Sequence, residues 1–135
     1  MRSSLRIFFL LLPTLVSVVK AEDYPITSPT PEQVEAYRLD DSFYRKCTQV
    51  QGILIATSDS VSDLAIREAA YQFDMIMQQI DADVAARIRE RKVLCVLIGH
   101  DELTSQIPQF KTDKTGKDLD FYNWRRRGIL NHVEK

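Results

Sequence analysis

Gly52-Ile53-Leu54-Ile55-Ala56-Thr57 and Val93-Leu94-Cys95-Val96-Leu97-Ile98 are the two runs that decide the fold. Each is a short apolar stretch rich in β-branched residues and bounded by polar or glycine residues, the pattern of a strand. Neither alternates polar with apolar, so each is expected to be buried on both faces, as parallel strands are in an α/β layer. Between them, Val61, Leu64, Ala65, Ala69, Phe73, Ile76, Met77 and Ile80 recur at steps of three and four. That spacing predicts an amphipathic helix of about five turns, with these residues as its core face. Ser60 with Asp63 three positions on approximates a capping box for its start.

Asp81 can cap a second, shorter helix through Val84, Ala85 and Ile88, with Arg87, Arg89 and Arg91 near the C-terminal end, where the helix dipole favours cations. Strand, helices and strand together make a βαβ unit, expected as a right-handed crossover. The fold class is therefore α/β, built on a long amphipathic helix. After Gly99, His100-Asp101-Glu102-Leu103-Thr104-Ser105 forms a polar loop at the C-terminal end of the second strand, where open α/β sheets usually keep functional groups. Pro108 breaks regularity, and Phe110 through Lys117 has no periodicity. Asp118 to Gly128 then sets three aromatics beside Arg125-Arg126-Arg127, ahead of Ile129-Leu130.

Working back toward the N-terminus, residues 22–50 read as an extended leader containing Pro25, Pro29 and Pro31. A short helix within Glu32 to Tyr44 is marked by Thr30 as N-cap and Pro31 at the first helical position. Residues 1–21 read as a secretory signal peptide. Arg2 and Arg6 supply the basic end, Ile7 to Val19 the apolar run, and Val19-Lys20-Ala21 the cleavage site, with Glu22 as the first mature residue. That apolar run is shorter than the ~20 residues a bilayer-spanning helix needs. The product is expected to be secreted or periplasmic, with no stable membrane association once the signal is removed.

Composition bounds the remaining choices. The chain has 135 residues, 44% hydrophobic and 27% charged, with 18 basic against 19 acidic side chains. These values fit one globular domain and exclude a disordered chain or a binder resting on bulk positive charge. Cleavage after Ala21 removes Arg2, Arg6 and Lys20, leaving 15 basic against 19 acidic residues, formally −4. A nucleic-acid partner is not expected at that charge, in spite of the arginine run. Export permits a disulfide between Cys47 and Cys95. The strand reading offsets the two cysteines along the chain direction, so a bridge and a pair of buried thiols both remain open.

Motifs that carry chemistry are few. The sequence has no G-x-G-x-x-G, phosphate-binding loop, G-x-S-x-G or C-x-x-C, and its two histidines, His100 and His132, do not form H-E-x-x-H. His100-Asp101-Glu102 is a poor metal cluster, because adjacent side chains on an extended loop point different ways. The helix residues Phe73, Met75, Ile76 and Met77 read as core rather than as a ligand box.

Taken in order, Gly52 to Ser58, Val61-Ser62-Asp63-Leu64-Ala65, the helix, Val93 to Gly99, Glu102-Leu103-Thr104, Pro108 and Arg125-Arg126-Arg127-Gly128 resemble the front half of a group of secreted zincin-type metallopeptidases. These are related to the catalytic domain of anthrax lethal factor. The resemblance covers about Gly52 to Leu130, so residues 51–135 are expected to form the domain. In that family the front half supplies strands, a backing helix and an edge that aligns an extended peptide substrate. The zinc ligands and catalytic glutamate lie on a later H-E-x-x-H helix with no counterpart in this sequence.

The resemblance therefore implies an incomplete zincin-like domain. It carries no catalytic or metal-binding residue and no cofactor of its own, and it is inactive as it stands. Zinc and a peptide or protein substrate are expected only in a longer form, of which this sequence would be the front portion. Glu102, Asp120, Arg127 and Gly128 match recurrent positions of the family, and an architectural ion pair among Glu102, Asp120 and Arg127 is expected. The competing expectation is a small secreted binding or structural module that never held a metal.

Overall fold

The computed structural model describes residues 24–125 and 128–132. The expected signal peptide, its cleavage site at Ala21 and Glu22, and Arg126 and Arg127 lie outside the described residues. The remainder is a mixed α/β fold. In chain order it runs α1 (Pro31–Tyr37), β1 (Lys46–Val50), β2 (Ile53–Thr57), α2 (Asp63–Gln79), α3 (Ala82–Glu90), β3 (Val93–Leu97), two single 3₁₀ turns (Thr104–Gln106 and Pro108–Phe110), α4 (Gly116–Arg125) and β4 (Gly128–His132). The strands form one sheet in the order β1-β2-β3-β4. Its central pair, β2 and β3, is parallel and joined through α2 and α3, as the two apolar runs predict. The outer pairs, β1 with β2 and β3 with β4, are antiparallel.

β1 falls within the stretch expected to be an extended leader. Val50-Gln51-Gly52-Ile53 turns it back onto β2, with φ of 49° at Gln51 and 82° at Gly52. Two successive positive φ values are the signature of a two-residue hairpin turn whose twist matches that of the strands. A side chain at position 52 would also bring a Cβ within 2.9 Å of the Arg89 backbone, so glycine is required there twice over. The domain boundary expected at residue 51 accordingly falls inside a hairpin. Within the expected leader, Pro31–Tyr37 form α1 and Lys46–Val50 form β1, and the sheet is not the bare two-strand unit of the sequence reading.

Strand alternation divides the core into two clusters, one on each face of the sheet. Val50, Ile53, Ile55 and Cys95 pack against α2 and α3 through Ile66, Ala70, Met77 and Ala85, with Phe73 and Ile80 partly buried beside them. Leu54, Ala56, Leu94, Val96 and Cys47 pack on the other face against Tyr37, Leu39, Tyr44, Ile107 and Phe110. The stretch around Pro108, expected as irregular loop, thus supplies two core side chains. Asp118 to Arg125, given no element from its sequence, lies within helix α4.

Local signals set the helix ends. Thr30 and Gln33 form a reciprocal capping box on α1, with Pro31 in its first turn. The helix stops at Tyr37, well before Tyr44, because Arg38 adopts a left-handed conformation. α2 is capped by Ser62, whose hydroxyl accepts from the Ala65 N–H, and not by Ser60. Asp81 caps α3 by accepting from the N–H groups of Asp83 and Val84, as expected. The core face of α2 is rotated from its expected position. Ile66 and Ala70 are fully buried, whereas Leu64 is 76% exposed and Ile76 is 52% exposed.

The cysteines are free thiols, and the sheet register explains why. Cys47 pairs with Ala56 and Cys95 with Ile55, neighbours on β2 whose side chains leave opposite faces. The two sulfurs therefore sit in different core clusters, two strands apart, beyond the reach of a disulfide. The bridge left open by the sequence is not present.

Candidate functional site

The C-terminal ends of β2 and β3 lie side by side because the two strands are parallel and in register, Ala56 opposite Val96. Ser58 follows one end and Gly99 the other. Glu102, in the loop after β3, turns back over both. One carboxylate oxygen accepts from the Gly99 N–H at 2.7 Å, and the other accepts from the Ser58 hydroxyl. Ser58 Oγ also accepts from the Ser60 N–H at 3.2 Å, which closes the loop leading into α2. Gly99 makes room for this arrangement, since a Cβ there would lie 2.8 Å from the Ser60 Cβ and 2.9 Å from the Glu102 carboxylate. The site is a clasp in which each carboxylate oxygen holds one donor.

His100 and Asp101 stand apart from this clasp. Both side chains are almost wholly exposed, with His100 Nε2 3.9 Å from Asp101 Oδ1. The acid that reaches the buried Ser58 is Glu102, so Ser58 is held by a carboxylate and the imidazole does not act as its base in this arrangement. Among the described residues, no three of His, Cys, Asp and Glu converge on a point that could hold a metal ion. The described residues thus do not fit a zinc site.

Of the expected trio Glu102, Asp120 and Arg127, Glu102 is engaged by Ser58 and Gly99, Asp120 is exposed on α4, and Arg127 lies outside the described residues. α4 is attached to the loop by Asn123, whose side-chain oxygen accepts from the Ser105 N–H at 2.9 Å, and by Tyr122, whose hydroxyl donates to the Phe110 carbonyl at 3.0 Å. Phe121 and Trp124 stay largely exposed, with ring centroids 6.1 Å apart.

The opposite end of the sheet holds a second polar network. Asp74 on α2 accepts from the Tyr24 hydroxyl at 3.0 Å and from the Gln51 side-chain amide at 2.8 Å. Arg89 on α3 donates to the Gln51 side-chain oxygen at 2.8 Å. The Gln51 bond, helped by those of Gln78 and Tyr24, holds the Asp74 carboxyl below its ordinary range. At the other end of the β1–α2 seam, Lys46 donates to the Val61 carbonyl at 2.6 Å and to Asp63 at 3.0 Å. Between these anchors, Thr48 Oγ1 and Arg67 Nε are buried with no hydrogen-bond partner among the described residues.

On the second core face, Tyr44 donates to the Gln109 side-chain oxygen, and the Gln109 amide donates to the Arg38 carbonyl at 3.3 Å. Burial pushes the Tyr44 phenol well above its usual range, so it serves as a neutral donor. Ser58, Gln51 and Gln109 went unnoticed in the sequence. Ser58 had a usable signal, because a parallel register between the two apolar runs places the residue after the first strand beside the loop after the second.

Comparison of the chain with protein-family models, with curated proteins and with solved structures finds no match.

Proposed function

We propose that these residues are the sheet and backing-helix portion of an exported zinc-dependent peptidase domain, one that hydrolyses peptide bonds only when a further H-E-x-x-H segment completes it. The observation that carries this reading is the order of elements. A strand, a long helix packed on one face, a parallel strand and an antiparallel edge strand follow one another, in keeping with the strands, backing helix and edge that the resemblance of Gly52 to Leu130 implies. Within that reading the work of this chain's own residues is structural and recognitive. β4 has only β3 beside it among the described residues. In this reading its outer edge pairs with an extended peptide, a mode in which main-chain hydrogen bonds align the substrate.

The Glu102 clasp has a place in the same reading. It fixes the ends of β2 and β3 against each other, and so fixes the level at which β4 sits beside them. The zinc would supply Lewis-acid activation of water, and its ligands come from none of the described residues.

The experiment is to express the complete reading frame and measure the zinc retained after dialysis together with cleavage of unstructured peptides. Stoichiometric zinc and chelator-sensitive cleavage by the complete product, with neither from this chain alone, is the expected result. A complete product that holds no zinc and cleaves nothing would replace this reading with that of a secreted binding or structural module.

A further inference from the structure

The seam between β1 and α2 is fastened at both ends and unsatisfied in its middle. At one end Lys46 donates to Asp63, and at the other Gln51 donates to Asp74. The strand from Lys46 to Gln51 and the helix from Asp63 to Asp74 each rise about 17 Å, so the two elements run beside each other in step. Thr48 faces α2, because it stands opposite Ile55, a member of the cluster on that side. It lies about 7 Å along the strand from Lys46, and Arg67 lies about 6 Å along the helix from Asp63. Asp63, Arg67 and Asp74 also fall within about 40° of one another around the helix axis. The two fastenings therefore bring Arg67 level with Thr48.

Both residues carry an orphan. Among the described residues, Thr48 Oγ1 and Arg67 Nε are the buried side-chain polar atoms that find no partner, and Thr48 is only 3% exposed. An Nε–H can donate to a hydroxyl oxygen, yet these two do not bond to each other across the seam. Arg67 also forms no ion pair among the described residues, whereas Lys46 is matched by Asp63. A half-buried guanidinium beside the core residues Ile66 and Ala70 is thus left without a counter-charge.

We propose that Thr48 and Arg67 bind a chloride ion between β1 and α2, held by the Thr48 O–H and the Arg67 Nε–H. Both groups can donate, and a halide asks only for donors and a positive charge. A site enclosed between a strand and the helix packed on it takes a monatomic ion. An ordered water matches it less well. Such a water makes about three hydrogen bonds and must donate as well as accept, and the neighbouring Ile55, Ile66 and Ala70 side chains offer it no polar partner. It would also leave the guanidinium charge uncompensated. Because the site exists only when α2 is seated on β1, the ion stabilises the folded chain by mass action.

The test is urea unfolding of the purified chain as chloride replaces gluconate at constant ionic strength, gluconate being too bulky for the seam. The folding equilibrium constant of the parent is expected to rise roughly tenfold once chloride exceeds its dissociation constant by about ten. Thr48→Val and Arg67→Lys each remove one donor and should abolish that dependence, although Arg67→Lys keeps the charge. Lys46→Met removes the other cation of the seam and should leave the dependence in place. Crystals soaked in bromide should show its anomalous signal between Thr48 Oγ1 and Arg67 Nε. A parent indifferent to chloride would overturn the proposal and leave a water or nothing between the two groups. So would a dependence that survives in Thr48→Val and Arg67→Lys, one that Lys46→Met also abolishes, or a bromide signal absent from the seam.

Discussion

Glu102 and Ser58 stand 44 positions apart in the chain, yet the Glu102 carboxylate accepts a hydrogen bond from the Ser58 hydroxyl at the point where the two parallel strands end. With its other oxygen on the Gly99 N–H, one side chain joins the exit of β2 to the exit of β3. A carboxyl group that serves two donors in a half-buried site holds both ends together. Glu102→Ala should therefore lower stability by about 1–3 kcal/mol, the cost of leaving a buried donor unsatisfied. Urea denaturation of the parent and the variant measures it, and an unchanged midpoint would show that the clasp holds nothing.

The helix register gives a sharper contrast. Ile66 is fully buried and Leu64, two residues before it, is 76% exposed. Ile66→Ala should cost about 2–5 kcal/mol, the range for a large-to-small change in a packed core. Leu64→Ala should stay within about 0.5 kcal/mol, as surface changes do. The reverse pattern, a large cost at Leu64 and little at Ile66, would place α2 in the register read from its sequence instead.

Thr48 Oγ1 is buried and unpartnered among the described residues. Replacing an orphaned hydroxyl by a methyl of the same shape removes a desolvation cost without opening a cavity. In chloride-free buffer, Thr48→Val should accordingly be neutral or stabilising, with a midpoint at or above that of the parent. A clear loss of stability would mean that the hydroxyl is hydrogen-bonded.

Asp74 links stability to pH. Its folded pKa lies below its ordinary value, chiefly because the Gln51 amide donates to the charged form. The stabilisation it gives is present above the unfolded pKa of about 3.9 and is lost as pH falls through the lower folded value. Asp74→Asn should flatten the fall in stability between neutral and strongly acid pH, and it should also weaken the hold on Tyr24. A variant whose acid limb matches that of the parent would place the linkage at other carboxylates.

Both thiols should titrate as free groups. The protein unfolded without reductant should react at two thiols, and the folded protein should react slowly, because burial pushes Cys95 up to about 11 and raises Cys47 as well. Loss of both thiols from the unfolded, unreduced protein would reveal a disulfide and contradict the register of β1 and β3 on β2.

What could be read from the sequence follows from how strongly each element signals. β2 and β3 stood out because a strand buried on both faces must be apolar at every position, and α3 because Asp81 is an unambiguous cap. β1 escaped because Lys46-Cys47-Thr48-Gln49-Val50 lies at the end of the sheet order and mixes Lys46, Thr48 and Gln49 with apolar residues, so it has no unbroken apolar run. The turn that reveals it, Gln51-Gly52, lacks the Asn or Asp that usually marks such a hairpin. α2 was found but rotated. Leu64 and Ile76 fit a helical stripe as well as Ile66 and Ala70 do, and only the position of the sheet selects between the two stripes. At the clasp, Glu102 was singled out but its partner was not, because Ser58 becomes its neighbour only through the parallel register.

The reading frame beyond the codon for Lys135 is the most direct measurement of the central claim. An in-frame H-E-x-x-H followed by a distal glutamate or histidine ligand is the predicted result. A continuation without that motif, or a stop codon directly after Lys135, would contradict the peptidase reading and favour a small binding or structural module whose partners must be sought by binding.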